Sequence, residues 1–188
     1  MKISTIAQLR EMTPFEDIEK EMIHKMINFI NAHENPMDQK LEVGHLTGSA
    51  WIVNKERTKA LFTYHTKLGM WLQLGGHAEV EDESIKHTAI REAYEESGLE
   101  SVKLVSEDIL SVDIHMIPRQ KGFPDHLHYD IQFLFEADEN ETLVITSESN
   151  DLKWISLEDI PSYMKKEIEQ YGNNRNFTKI MTVDCHNA

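Results

Sequence analysis

Three glutamates, Glu92, Glu95 and Glu96, fall within five consecutive positions of a segment that reads as helix. Residues three and four apart share a helix face, so the three carboxylates project from nearly one side. Like charges at that spacing destabilise a helix, and Arg91, four residues before Glu95, offsets only part of the repulsion. Bound cations would offset the rest. Ile85, Ala89 and Ala93 form a different stripe, apolar and suited to packing on a sheet. Gly98 can close the helix as a left-handed cap. A helix with one carboxylate face and one apolar face can pack on a sheet with its acids turned toward water, metal or substrate.

Hard cations such as Mg²⁺ take oxygen ligands: one or two carboxylates, waters, and the phosphates of a substrate. Gly75-Gly76, just upstream, would let backbone approach metal and substrate closely. The ordinary alternative is a solvated glutamate-rich surface. The bulk numbers bear on this choice. The 188 residues suffice for one compact domain. The 33 acidic and 19 basic side chains give a formal net charge of −14, which disfavours a nucleic-acid polymer as partner. A small phosphorylated molecule remains a fitting partner if divalent cations screen the repulsion. The lone Cys185 forms no intrachain disulfide. No apolar run reads as a signal peptide or membrane span, so the expected location is the cytoplasm.

Along the chain, Thr13-Pro14-Phe15-Glu16 reads as a helix entry with a capping box, followed by apolar positions at helical spacing to about Ala32. Residues 41–46 read as a connection. Residues 50–53 and 60–64 read as strands around a turn at Asn54–Arg57. Trp71–Leu74 reads as a short strand stopped by Gly75-Gly76, and Ser84–Ser97 as the helix. Residues 104–117 and 126–137 read as strands, Leu152–Ile155 as a last strand, and Leu157–Tyr171 as a last helix. Interleaved strands and helices predict an α/β fold with a mixed sheet between helices.

The whole segment resembles the signature of the Nudix (MutT-like) hydrolases: Gly, five residues, Glu, seven residues, then Arg-Glu-aliphatic-any-Glu-Glu-any-Gly-aliphatic. Glu83, the seven residues Ser84–Ile90, and Arg91-Glu92-Ala93-Tyr94-Glu95-Glu96-Ser97-Gly98-Leu99 match in register. Upstream, six residues separate Gly76 from Glu83 where the family has five, so either Asp82 or Glu83 fills the first acidic position; helical register favours Glu83. Trp71–Glu79 and Leu152–Ile160 are also similar to the family, and the likeness spans roughly residues 49–163.

The resemblance implies an α/β/α sandwich with a mixed β-sheet over residues 41–188, with residues 1–40 as an added N-terminal helical extension on the same domain. It implies metal-dependent hydrolysis of a pyrophosphate bond in a nucleoside diphosphate-linked or related small molecule. Glu92, Glu95 and Glu96 would hold Mg²⁺ or Mn²⁺, helped by a backbone carbonyl at Gly75 or Gly76. Arg91 would orient the carboxylates and Glu83 would buttress it. Glu148 is a candidate general base, against the ordinary reading of an exposed loop glutamate. The alternative is a Nudix-fold module that binds a nucleotide without cleaving it. Three costly carboxylates kept together argue for the enzyme, and an EF-hand loop is absent.

His126, His128 and Asp130 alternate on one strand face. That spacing suits Zn²⁺, Ni²⁺ or Cu²⁺, or a pocket wall with His128 touching substrate, but a half-exposed polar strand face is the simpler reading. His77 and His115 have no such neighbours in sequence. Trp51, Phe62, Trp71 and Trp154 read as core. Phe123, in a polar loop, is the candidate for contact with a base. The N-terminal apolar stripe packs on the pocket, the sheet or a second copy in a homodimer, and the sequence leaves these three open.

Overall fold

The computed structural model describes residues 2–65, 69–119, 122–145 and 151–163. Helices α1 (Lys2–Glu11) and α2 (Asp17–Ala32) open the chain. The expected entry at Thr13 is corrected: the N-cap is Glu16, whose side chain makes no capping bond. Glu19 caps from inside the helix instead. Its Oε2 accepts from the Phe15 N–H at 2.7 Å, and its Oε1 accepts from the Ser111 hydroxyl at 2.9 Å. The carboxylate thereby ties α2 to the sheet. Phe29 stacks on Tyr129 with ring centroids 3.9 Å apart, so the helix lies on the sheet.

The strands are β1 (Gly44–Asn54), β2 (Lys59–His65), β3 (Met70–Leu72), β4 (Leu74–His77), β5 (Lys103–Leu104), β6 (Ser111–Ile117), β7 (His126–Ala137) and β8 (Leu152–Ser156). Helix α3 (Ile85–Ser97) follows β4, and α4 (Ile160–Tyr163) follows β8. One mixed sheet results, with the order β3-β2-β1-β7-β5. β1 runs parallel to β7 along its whole length, from Gly44 beside Leu127 to Asn54 beside Ala137. β4 pairs antiparallel with β1, β6 with β7, and β8 with β2.

Several boundaries differ from the sequence reading. β1 begins at Gly44 rather than at residue 50, because residues 44–49, of which 44–46 read as a connection, are buried and paired. Residues 104–117 split into β5 and β6. A local turn intervenes, in which the Asp108 N–H donates to Ser106 Oγ at 3.1 Å. The last helix starts at Ile160, not Leu157, and its expected continuation to Tyr171 lies outside the described residues, as do Glu148 and Cys185. Gly75-Gly76 do not end a strand. They lie inside β4, opposite Ser49 and Gly48 of β1.

Strand alternation divides the interior. Ala50 and Ile52 of β1, with Ile131, Phe133 and Phe135 of β7, face α1, α2 and α3 and pack with Leu9, Met26, Ile30, Ala89 and Ala93. Trp51, Val53 and Leu134 point the other way and pack with Phe62, Ile155, Leu157 and Ile160. Among the described residues, no helix is long and apolar enough to cross a membrane.

The approach of α3 to β1 is set at Gly48. A Cβ there would lie 2.6 Å from the Ile85 carbonyl oxygen and 3.0 Å from the Ala89 nitrogen. Gly48→Val should therefore force α3 off the sheet, at about 2 kcal/mol or more. For a chain of this size that is roughly 5 °C of melting temperature. Thermal denaturation followed by circular dichroism checks it, and an unchanged melting point would contradict the packing.

Candidate active site

Helix α3 is held at both ends. The Ser84 hydroxyl accepts from the His87 N–H at 3.2 Å, and Gly98, at φ 64°, donates its N–H to the Tyr94 carbonyl at 3.0 Å. With Ala89 and Ala93 buried against the sheet, the face carrying Glu92, Glu95 and Glu96 meets the glycines of β4. The Gly75 N–H donates to Glu96 Oε2 at 2.8 Å. A Cβ at Gly76 would press on the Glu92 carboxylate and displace it, so glycine lets this carboxylate rest on the strand. Glu92 is buried, Glu96 half-buried and Glu95 exposed.

Arg91 joins these parts. Its Nη1 donates to Glu92 Oε1 at 3.0 Å and to Glu95 Oε2 at 2.8 Å. Its Nη2 donates to the His77 carbonyl at 2.8 Å and to Asp82 Oδ2 at 3.1 Å. Burial alone would lower the guanidinium pKa. The bonds to Asp82 and Glu95 and the charge of Glu92 outweigh it, so the pKa is raised above its ordinary value. Arg91 is therefore a fixed cation.

The buttress expected at Glu83 is corrected: Asp82 makes these contacts, while Glu83 is exposed. Asp82 Oδ2 also accepts from the Glu79 N–H at 2.9 Å and the Thr88 hydroxyl at 3.0 Å. Burial would raise the Asp82 carboxyl, but the hydrogen bonds from Arg91, Glu79 and Thr88 hold it below the usual carboxylate range. Asp82 lies five residues past Gly76, so the glycine-to-acid spacing of the signature is met there and the extra residue falls between Asp82 and Arg91.

This donor set suits a hard divalent cation. Glu92, Glu95 and Glu96 offer oxygen only, they crowd one helix face, and Arg91 balances only part of their charge.

The strand triple His126, His128 and Asp130 does share a face, but it is not a half-exposed polar surface. Asp130 is 2% exposed and accepts from the Thr47 and Ser49 hydroxyls and the Gln132 amide, each at 2.8 Å. Burial pushes its carboxyl up, against the pull of His115, Gln132, Ser49 and Thr47. Its bonds cross-link β1 to β7, which explains its place in the strand. His128 meets His77 and His45 instead, and His115 lies against His128 with ring centroids 5.4 Å apart. Neither His77 nor His115 is isolated, as their sequence surroundings suggested. Phe123 packs edge-on against His126, with centroids 4.7 Å apart. Trp51 and Phe62 are core as expected, and Trp71 and Trp154 are partly buried against the two cores.

A family model described as the NUDIX domain matches residues 45–177. A Lactococcus lactis subsp. cremoris (strain MG1363) protein named "Probable DHNTP pyrophosphohydrolase" is 28% identical over 171 residues, covering 88% of this chain and 96% of its own. Among solved structures, the binary complex of a C. elegans Ap4A hydrolase has a TM-score of 0.53 at 18% identity, covering 72% of this chain and 92% of that one. The E. coli dihydroneopterin triphosphate pyrophosphohydrolase has a TM-score of 0.52 at 15% identity, covering 73% and 93%. Both structural likenesses show the fold.

The contrast between Asp82 and Glu83 is measurable. Asp82→Asn should destabilise the chain by about 1–3 kcal/mol near neutral pH, and Glu83→Ala by no more than about 0.5 kcal/mol. Because the Asp82 pKa is depressed on folding, its contribution is present above the unfolded carboxylate value. It is lost as pH falls through the folded one. The gap between wild type and Asp82→Asn in urea denaturation should therefore close below about pH 4. Equal effects of the two substitutions would contradict the assignment.

Proposed function

The chain belongs to the NUDIX domain family, and we propose, with a relative named as a probable pyrophosphohydrolase aligned over 88% of it, that its reaction is divalent-metal-dependent cleavage of the pyrophosphate in a small phosphorylated heterocycle. Glu92, Glu95 and Glu96 would hold Mg²⁺ or Mn²⁺. One observation carries this reading: a buried carboxylate pressed on Gly76 and a second bonded to the Gly75 N–H, beside a third at the open edge of the same helix face. Such a group is costly to assemble unless a cation shares it. The relative named for DHNTP aligns over nearly the full length of both chains, which supports a pterin triphosphate as the first substrate to test.

Each residue has a distinct part in the proposed reaction. Bound cation would supply Lewis-acid polarisation of the pyrophosphate and a water of lowered pKa. Arg91 fixes Glu92 and Glu95 in one orientation through a shared Nη1, so the ligand oxygens are pre-positioned. Asp82 and the His77 carbonyl hold the other side of the guanidinium and keep the arginine from swinging toward substrate phosphate. Glu96 stays aligned by the Gly75 N–H. Water would add to one phosphorus as the P–O–P bridge breaks, its proton passing to solvent, and the other phosphate group would depart with the bridging oxygen, its charge balanced by cation held on Glu92, Glu95 and Glu96.

Purified protein with Mg²⁺ or Mn²⁺ should release pyrophosphate or phosphate from at least one of dihydroneopterin triphosphate, nucleoside triphosphates, ADP-ribose or dinucleoside polyphosphates. Glu95→Gln and Glu96→Gln should each cut kcat/KM by about 10²–10³-fold, since metal stabilisation is worth several kcal/mol and a tenfold change is about 1.4 kcal/mol. Both variants should keep the wild-type circular dichroism spectrum. Unchanged turnover in both would remove the carboxylates from the mechanism.

A further inference from the structure

We propose that His45, His77 and His128 form a three-imidazole site for a borderline divalent metal such as Zn²⁺, separate from the carboxylate helix. The three come from different strands, β1, β4 and β7, and sheet pairing brings them together. His45 lies beside His128 in the parallel pair, and His77 lies opposite Thr47, two residues along β1. One nitrogen from each ring lies within 4.8 Å of the other two. The Nε2 atoms of His77 and His128 are 3.2 Å apart. Two ligands on a tetrahedral Zn²⁺ with bonds near 2.0–2.1 Å are separated by about 3.3 Å. The His77–His128 edge is already at that spacing.

His45 supplies an independent observation. It is 1% exposed, and neither ring nitrogen has a hydrogen-bond partner of good geometry. Buried polar atoms are almost always partnered, so this one needs an explanation, and a metal shared with the two imidazoles whose nitrogens lie within 4.8 Å gives it. The Leu41 carbonyl lies near enough to favour a proton on this ring slightly. All three rings are held neutral, the form that binds metal. Burial first, then the neighbouring histidines, lowers His45 to about 4 and also lowers His77 and His128.

The surroundings fit a metal centre with an open position. His126 is anchored through Nδ1 to the Pro124 carbonyl, and His115 through Nδ1 to Asp113, both at 2.9 Å. They form a ring of imidazole around His128. His77 and His128 are half-buried, so a water or an oxygen of a small ligand can reach the fourth coordination position. Nitrogen donors select Zn²⁺, Ni²⁺ or Cu²⁺ over Mg²⁺, whereas the oxygen-only helix prefers the hard ions. This site does not rest on the hydrolytic reading, and either can fail alone.

Untagged protein is stripped with chelator and titrated with Zn²⁺, and separately with Co²⁺ as a coloured stand-in. The wild type should retain one equivalent of Zn²⁺ through gel filtration and give the intense visible bands of tetrahedral Co²⁺. His77→Ala and His128→Ala should each weaken Zn²⁺ binding by at least about 100-fold, while Glu96→Gln leaves it unchanged. These two histidines are chosen because they are half-buried, and circular dichroism separates a misfolded variant from one that has lost a ligand. Zn²⁺ retention equal to wild type in both folded histidine variants would overturn the site. So would loss of Zn²⁺ in Glu96→Gln, or a pale octahedral Co²⁺ spectrum in the wild type.

Discussion

Arg91 accepts no competition for its place because each arm of its guanidinium is already committed. One nitrogen serves Glu92 and Glu95, the other serves Asp82 and the His77 carbonyl. The planar fork allows this; a lysine ammonium offers a point charge and could not span both sides. Without the arginine, Glu92 and Glu95 would repel each other on one helix face, and Asp82 would be a carboxylate with a 7% exposed side chain and no countercharge at its oxygens. The same bonds fix where α3 sits along β4, because the His77 carbonyl belongs to the strand. Helix, loop and strand are thus registered by one side chain.

The glycines make that registration close enough to matter. Gly48 lets the α3 backbone rest on β1, and Gly76 lets the Glu92 carboxylate rest on β4. Gly75, at φ 151°, lies where a Cβ would collide with Ser49. Gly48 and Gly76, opposite each other on two paired strands, therefore form a flat floor under the carboxylate face. Side chains there would lift the helix and separate the carboxylates from the backbone N–H that aligns Glu96.

Local pattern reached the parts of this architecture that local physics determines. The bounds of β7, the extent of α3 and its Gly98 cap follow from alternation, helical period and a left-handed turn, all readable within a dozen residues. The carboxylate face is the same kind of fact. What escaped depends on distant pairing. Gly44–Leu46 reads as part of a connection until β7 lies beside it, and Gly75-Gly76 reads as a stop until Gly48 is opposite. The bond of Glu19 to Ser111 spans 92 residues and has no local signal. The choice between Asp82 and Glu83 turned on side-chain length and loop path. The shorter acid, already turned inward by the Glu79 N–H, reaches Arg91 where the helical register pointed to its neighbour.

β4 carries two chemistries because a strand presents alternate residues to opposite sides. Gly76 faces α3 and its carboxylates, while the His77 ring faces His45 and His128 on the side of the sheet that Trp51 and Leu134 also occupy. Oxygen donors with net negative charge gather on one side, neutral nitrogen donors on the other. The separation is electrostatic as well as geometric. Imidazoles placed among the carboxylates would be drawn toward protonation, and would then repel a cation rather than bind it. Kept apart by the thickness of one strand, and buried among their own kind, they stay neutral. The His77 carbonyl still accepts from Arg91, so one residue serves both sides: its backbone steadies the helix and its ring stands with the other histidines.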